Sequence, residues 1–439
     1  MSEDATLDEF IQGTSEENSR SEWHESKLED LLSELLTGSR PTGGGLDEGG
    51  YISIGGTQVN SEGYIDLHDL VYIPEDYFAK IKETQLQKHD ILVVKDGANT
   101  GDVAIAWESD DRIVTNEHLF TLRADSSINP PYLFYFLLSH RGWKQINGTI
   151  TGSAQEGINR GFTGKVDVQY PQLPEQRKIA TVLYTVDRAI EKTKEIIEQT
   201  EKIGRGLRQS LFTEGYYEHK TEQYGTLGEV PVSWEKTRLY KIADVARGKF
   251  THRPRNDPEF YDGEYPFIQT GEVVEAVGEL TDFSQTLNEK GRGVSKEFAP
   301  GTIIITIAGN IGDTAVATFP VYFPDSLVGI TPDEETDERF LEHFLRYRQA
   351  FLNRLSTKTT QKNLNLTLLR PIEVVKPPLN EQKEIADTLS TVDNQIKKEK
   401  EYKKHLQHLK RGLMQDLLPG TVRTTDTNIE VPEEITKHG

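Results

Sequence analysis

The chain has 439 residues, a formal net charge of −21 and no cysteine. That length exceeds one ordinary domain, and the lack of cysteine excludes disulfides and thiolate zinc sites and suits a reducing cytoplasm. No apolar run approaches the ~20 residues of a membrane span, and the acidic, polar stretch Met1–Arg20 lacks the basic-then-apolar plan of a secretory signal.

Residues 1–20 read as a disordered acidic terminus, and Glu430–Glu434 near the other end has the same composition. A first globule is expected over 21–172. Apolar runs such as Ile91–Val94 predict strands, the Gly-rich Thr42–Gly45 a loop, and about Pro130–Trp143 one amphipathic helix. Asn129-Pro130-Pro131-Tyr132 spells the NPPY with which adenine-N6 methyltransferases hold a target amino group. Here it follows the polar Arg123–Ser127 and runs straight into Leu133–Leu138, and no Gly-rich cofactor loop precedes it. Prolines at a helix entrance account for it.

A long helix follows at 173–215, then a polar linker at 216–230 centred on His219–Gly228. A second globule at 231–378 is expected to hold a strand at Ile303–Ile307 and one helix over about Glu338–Leu355. A second long helix spans 379–418, and 419–439 is a polar tail. In the first rod Ile179, Leu183, Val186, Ile190, Ile197, Leu207 and Leu211 follow a four–three spacing; in the second Ile385, Leu389, Val392, Ile396, Leu406, Leu413 and Leu417 do. This is a coiled-coil-like stripe, with a polar middle at Glu399, Lys403 and Lys410. Pro174 and Asn380 read as helix starters, Asn380 as an N-cap, and Pro419-Gly420 as a stop. Each rod would be ~60 Å long.

The organising feature is an internal repeat. Leu173–Ala180 (LPEQRKIA) matches Leu379–Ala386 (LNEQKEIA), Thr185-Val186-Asp187 matches Thr391-Val392-Asp393, and Arg205-Gly206-Leu207 matches Arg411-Gly412-Leu413. About eighteen of forty positions agree at one constant offset. The globules repeat too: Trp23 pairs with Trp234, Asn99–Ala106 with Asn310–Ala317, and Gln155…Asn159 with Gln361…Asn365. The fold class is therefore α+β, with two mixed α/β globules alternating with two long helices, a pseudo-twofold internal repeat.

No other stretch carries chemistry. Gly161–Lys165 resembles a phosphate loop, but Asn159 stands where the first glycine is needed and Val166 where Ser or Thr is. Glu401-Tyr402-Lys403 has the spacing of a nuclease acid–lysine pair within a charged helical face, and the histidines show no metal-ligand spacing. Neither a catalytic nor a metal site is expected. What remains is binding, against which the net charge counts. Arg247, Lys249, His252, Arg253 and Arg255 form a basic cluster broken by Phe250 and Pro254. The turns Lys95–Asp102 and Gly309–Asp313, with Lys95, Asn99 and Asn310, suit close approach to DNA. A third cluster holds Lys358, Gln361, Lys362 and Asn363, with Gln155 and Arg160 in the first copy. Lys and Arg suit phosphates and guanine edges; Gln and Asn suit adenine edges. The alternative for the basic cluster is a solvated loop, and for the paired turns an ordinary hairpin turn.

The doubled "L-x-E-Q-x-x-I-A" helix start, the tryptophan opening each globule and Leu227–Trp234 together resemble type I restriction–modification DNA-specificity subunits over nearly the whole chain. The resemblance implies two target recognition domains, each reading half of a split duplex DNA site. It implies two helices packed as an antiparallel coiled coil that spaces the halves and docks methyltransferase subunits, and motor–nuclease subunits completing the complex. This chain would bind no cofactor, with S-adenosylmethionine, ATP and Mg2+ on the partner subunits, and would work in the cytoplasm without membrane contact. Three alternatives remain at this point: a modification-only system, a self-contained methyltransferase built on Asn129–Tyr132, and a scaffold that never touches DNA.

Overall fold

The computed structural model describes residues 23–151, 157–356 and 363–436. The chain divides into two compact units, residues 1–191 with 405–439, and residues 192–404. Six helices of eight or more residues occur among the described residues: α1 (Pro130–Leu138), α2 (His140–Asn147), α3 (Leu173–Thr213), α4 (Glu338–Tyr347), α5 (Gln349–Ser356) and α6 (Leu379–Leu417). None is long and apolar enough to cross a membrane.

In the first unit one four-stranded sheet has the order Leu32–Leu36, Leu119–Ala124, Ile91–Val94, Val103–Ile105. Its central strand is buried on both faces, as its unbroken β-branched and leucine run requires. A second four-stranded sheet packs beside it. The second unit holds a five-stranded sheet ordered Ala243–Arg247, Leu327–Pro332, Ile303–Thr306, Thr314–Ala317, Glu279–Leu280.

The repeat is visible strand by strand. The segment after Trp23, His24–Lys27, pairs antiparallel with Asp167–Tyr170 just before α3. The segment after Trp234, Glu235–Arg238, pairs in the same way with Glu373–Lys376 just before α6. Each globule is thus closed where its long helix departs.

The long helices pack antiparallel within each unit. In the first, Val186, Ile190 and Leu406 form one buried cluster, and Lys410 meets Asp187 at 2.7 Å. Lys410, in the polar middle of the second seam, is therefore a paired residue. In the second unit Arg208 reaches Asp393 at 3.5 Å and Lys400 reaches Glu201 at 3.2 Å. Gly204 is small enough to admit Val392, whose methyl would lie 3.1 Å from an added Cβ.

Four expectations are corrected. The helix over Pro130–Trp143 is two, because Ser139 ends α1 and caps α2 by accepting from the Gly142 N–H. Glu338–Leu355 likewise breaks at Arg348. Asn380 lies inside the first turn of α6 and is not its cap; the Gln382 N–H bonds back to the Pro378 carbonyl. Glu430–Glu434 does not belong to a disordered end, since Glu433–Thr436 is helical and Ile435 is fully buried in the first core. The linker is also folded: Thr221–Tyr224 and Gly228–Pro231 form a hairpin whose turn buries Leu227.

Candidate nucleic-acid interface

Two side chains of the doubled helix start fix each globule to its rod. Gln176 accepts from the Asn129 N–H at 2.7 Å and donates to the Pro171 carbonyl at 2.8 Å. Gln382 accepts from the Asp337 N–H at 2.9 Å and donates to the Pro377 carbonyl at 2.8 Å. Asn129 and Asp337 are the N-caps of α1 and α4, so one glutamine ties helix cap, departing strand and rod together. The neighbouring glutamates hold the chain that follows the other rod. Glu175 receives Arg423 in a two-pronged pair at 2.8 and 2.6 Å. Glu381 receives His219 at 2.7 Å, the Trp234 indole at 3.0 Å and the Tyr216 N–H at 3.1 Å.

Asn129–Tyr132 is a capped helix start. The Asn129 side chain is fully buried, accepts from the Tyr132 N–H and donates to the Ile435 carbonyl at 2.8 Å. Its amide is committed at both ends and cannot hold a base.

The basic cluster of the second unit lies on a small aromatic core of Phe250, Tyr261, Phe267 and Tyr322. Lys249, Arg253 and Arg255 are exposed. The Arg253 guanidinium donates to the carbonyls of Phe250 and His252 at 2.6 and 2.7 Å and lies 3.7 Å from Asp325, which Arg255 also engages. His252 stacks on Phe260 at 4.0 Å and meets Asp257 at 3.1 Å. Sequence reasoning missed a second basic strip on the same surface. Thr251 bonds to Val294 and Ser295 to the Lys249 carbonyl, bringing Lys290, Arg292 and Lys296 alongside. Arg292 stacks over Tyr265 at 4.9 Å and Lys296 over Phe298 at 4.6 Å. Burial, and then a bond to Glu297, push Tyr322 beneath them up to about 12. The run Lys290-Gly291-Arg292…Lys296 was the available signal.

In the first unit Lys95 is half-buried, donates to the Glu117 carbonyl at 3.3 Å and lies over Phe120. Arg40, His118, Asp96 and Glu117 gather beside it. Asn99 turns inward, donating to the Gly56 and Val59 carbonyls at 3.2 and 3.0 Å. Its repeat partner Asn310 is exposed. Arg160 is exposed and bonds to the Leu35 carbonyl. Gln155, Lys358, Gln361 and Lys362 lie outside the described residues. Their flanks return to the paired turns in both units: Ile158 bonds to the Lys95 carbonyl at 2.8 Å and Leu364 to that of Ile307 at 3.0 Å, while Asn363 bridges to Ala308.

One buried group among the described residues has metal-ligand geometry, Glu342, His343 and Asp393. Arg346 already lies 2.5 Å from Glu342 and 2.6 Å from Asp393. The group therefore ties α4 to α6 by charge. Burial raises the Glu342 carboxyl and, with Arg346 and Arg208, holds His343 well below its ordinary range.

A family model described as the type I restriction modification DNA specificity domain matches residues 20–202 and again 231–408. The MjaVIII type I restriction enzyme specificity subunit of Methanocaldococcus jannaschii is 26% identical, across 84% of this chain and 88% of its own length. The EcoKI specificity subunit of Escherichia coli strain K12 is 20% identical, across 74% and 71%. The crystal structure of a type I restriction–modification S subunit from M. genitalium superposes with a TM-score of 0.60 at 17% identity, covering 90% of this chain and 96% of that one, which supports the fold alone.

Proposed function

Given that this chain belongs to the type I restriction–modification specificity-subunit family, we propose that each globule reads one half of a bipartite duplex DNA site. The observation that carries this is the repeated clamp, Gln176–Asn129 and Gln382–Asp337, which fixes two like globules to rods in the same way. Two like readers held by stiff spacers suit two half-sites at a set separation.

On this reading α3 and α6 set the gap and dock methyltransferase subunits, and motor–nuclease subunits complete the assembly. S-adenosylmethionine, ATP and Mg2+ belong to those partners. The chain acts in the cytoplasm and contributes binding without a catalytic group of its own. In the second unit Lys249, His252, Arg253 and Arg255 contact DNA, with Asn310 and Asn363 on the adjoining turn; Lys358, Gln361 and Lys362 extend that surface. In the first, Lys95, Arg160 and Gln155 do so, and Asn99 shapes the turn. The loop cations supply phosphate contacts and one or more base contacts in a groove.

Methylation mapping of the host genome with and without this gene tests the proposal. Loss of one split motif is the expected result, and an unchanged methylome refutes it. Replacing residues 231–378 by another globule should change only one half of that motif.

A further inference from the structure

The basic surface of the second unit holds cations in different states of commitment. Lys290 is answered by Glu259 at 2.5 Å, and Arg253 and Arg255 share Asp325. Arg253 spends further N–H groups on the carbonyls of Phe250 and His252. Lys249 and Lys296 have no ion-pair partner among the described residues, and Lys296 lies over Phe298. Arg292 differs from all of these, because its guanidinium lies over the Tyr265 ring at 4.9 Å with the Glu289 carboxylate 3.8 Å away.

Glu289 and Arg292 stand one turn apart on the short helix Glu289–Gly293, and that turn is pinned. Asn288 accepts from the Lys290 and Gly291 N–H groups at 3.0 and 3.1 Å and donates to the Glu259 and Tyr261 carbonyls at 2.9 and 3.0 Å. Gly291 is pressed so closely on Phe260 that an added Cβ would lie 2.2 Å from its carbonyl oxygen. The Tyr265 hydroxyl accepts from Arg292 at 3.2 Å and donates to Glu289. Both side chains are exposed. One tyrosine thus holds a donor fork and a carboxylate side by side at the surface, preorganised by the shell around them.

Such a pair suits a base edge better than a phosphate. A carboxylate beside the arginine repels the DNA backbone. The major-groove edge of a G·C pair instead presents the N7 and O6 acceptors of guanine next to the N4 amino donor of cytosine. The arginine fork fits the two acceptors, and a carboxylate accepts from the amino group. The ion pair between Arg292 and Glu289 is long and exposed, so little is lost when both turn to a base pair. We infer that Arg292 and Glu289 read a G·C pair in the half-site of the second globule, Arg292 on the guanine and Glu289 on the cytosine. This rests on the half-site reading of the two globules. Lys249 and Lys296 serve the phosphates alongside, as point charges do.

Methylation mapping with the full chain assembled with its methyltransferase subunits tests this position by position. The half of the motif that changes when residues 231–378 are exchanged should contain a G·C pair. Arg292→Ala should lower the preference for that pair by about tenfold or more, and Glu289→Ala should loosen the same position. The other half of the motif should stay sharp, which also reports a folded and assembled chain. Lys296→Ala should slow methylation of every sequence alike and reduce the salt slope of binding by about 0.9, with the motif intact. An Arg292→Ala chain that keeps every position sharp, or that slows all sequences alike, overturns the inference and leaves the half-site reading standing. Loosening at different positions by the two substitutions overturns it as well. A parent complex with no bipartite motif overturns both.

Discussion

The side-chain oxygen of Gln176 accepts the backbone N–H of Asn129 at 2.7 Å, and Gln382 does the same for Asp337 at 2.9 Å. Both glutamines are almost wholly buried, so each forms part of the connection between globule and rod. Leucine in place of either would strand a buried N–H and a buried carbonyl, at about 1–3 kcal/mol for each unsatisfied group. Gln382→Leu should therefore lower stability by about 2–4 kcal/mol in equilibrium denaturation, and Gln176→Leu by a similar amount. A loss below about 0.5 kcal/mol would show that the repeated glutamine is not what holds the cap.

The repeat itself was legible because eighteen or so identities at a fixed offset survive in the rods, where packing constrains every turn. It exposed the two-globule plan, while apolar runs pointed to the strands at Ile91–Val94 and Ile303–Ile307, the second observed as Ile303–Thr306, and Pro130-Pro131 to the helix entrance after Asn129. Other features depend on contacts distant in sequence, which no local window displays. The C-terminal tail looks polar because, among its described residues, little more than Ile435 and Val431 reaches the core, and the linker looks polar because Glu381 holds the chain on either side of its hairpin while Leu227 buries the turn. The breaks at Ser139 and Arg348 interrupt apolar spacing that continues across them. In the site, the basic loop at 247–255 was visible as a run, but its junction with Lys290–Lys296 required the strand pairing at Ser295.

Asp325 sits between Arg253 and Arg255 and fixes where both guanidinium groups point. Reversing both arginines to glutamate should weaken binding of the assembled methyltransferase to its duplex by more than tenfold. It should also flatten the dependence of log affinity on log salt by about 2, near 0.9 for each phosphate that is no longer neutralised. Asp325→Asn removes a negative charge and the tether together, so it should tighten non-specific binding while narrowing the gap between specific and non-specific DNA. Fluorescence anisotropy across a salt series measures both. Unchanged slopes in the double reversal would remove this loop from the interface.

His343 is enclosed by Glu342, Asp393, Arg346, Arg208, Arg339 and Ser390. Burial first, then the neighbouring arginines, hold its pKa well below the ordinary value. The unfolded chain therefore takes up a proton near pH 6.5 that the folded chain refuses, so this stability contribution is complete above that pH and declines as pH falls. Glu342, raised by burial, acts in the opposite sense, so the comparison must be made against His343→Gln, which keeps Glu342. Between pH 6.5 and 5.5 the parent should lose about 1 kcal/mol more stability than the variant, near the limit of 1.4 kcal/mol per pH unit. Parallel pH profiles would mean that the folded chain binds a proton on His343 as readily as the unfolded chain does.

The C-terminal tail is a structural part of the first unit. Arg423 pairs with the buried Glu175, and the Thr424 N–H adds a third bond at 3.2 Å. Lys178 donates to the carbonyls of Thr424, Thr425 and Thr427 at 3.2, 2.8 and 2.8 Å. Ile435 closes the core beside Asn129, and His89 bonds to the Glu434 carbonyl at 2.6 Å. Arg423→Ala leaves the Glu175 carboxylate buried without its counter-charge, a change that costs about 3–5 kcal/mol in comparable sites. Pairing it with Glu175→Gln removes the stranded charge and should restore more than half of the loss. Truncation after Gly420 removes the ion pair and the Ile435 burial together and should destabilise the first unit more than either substitution alone. Hydrogen exchange localises the effect: amides of α1 and of the first turns of α3 should lose protection, while those of the five-stranded sheet keep theirs. Uniform loss across both units would show that the tail supports the whole chain and not the first unit alone.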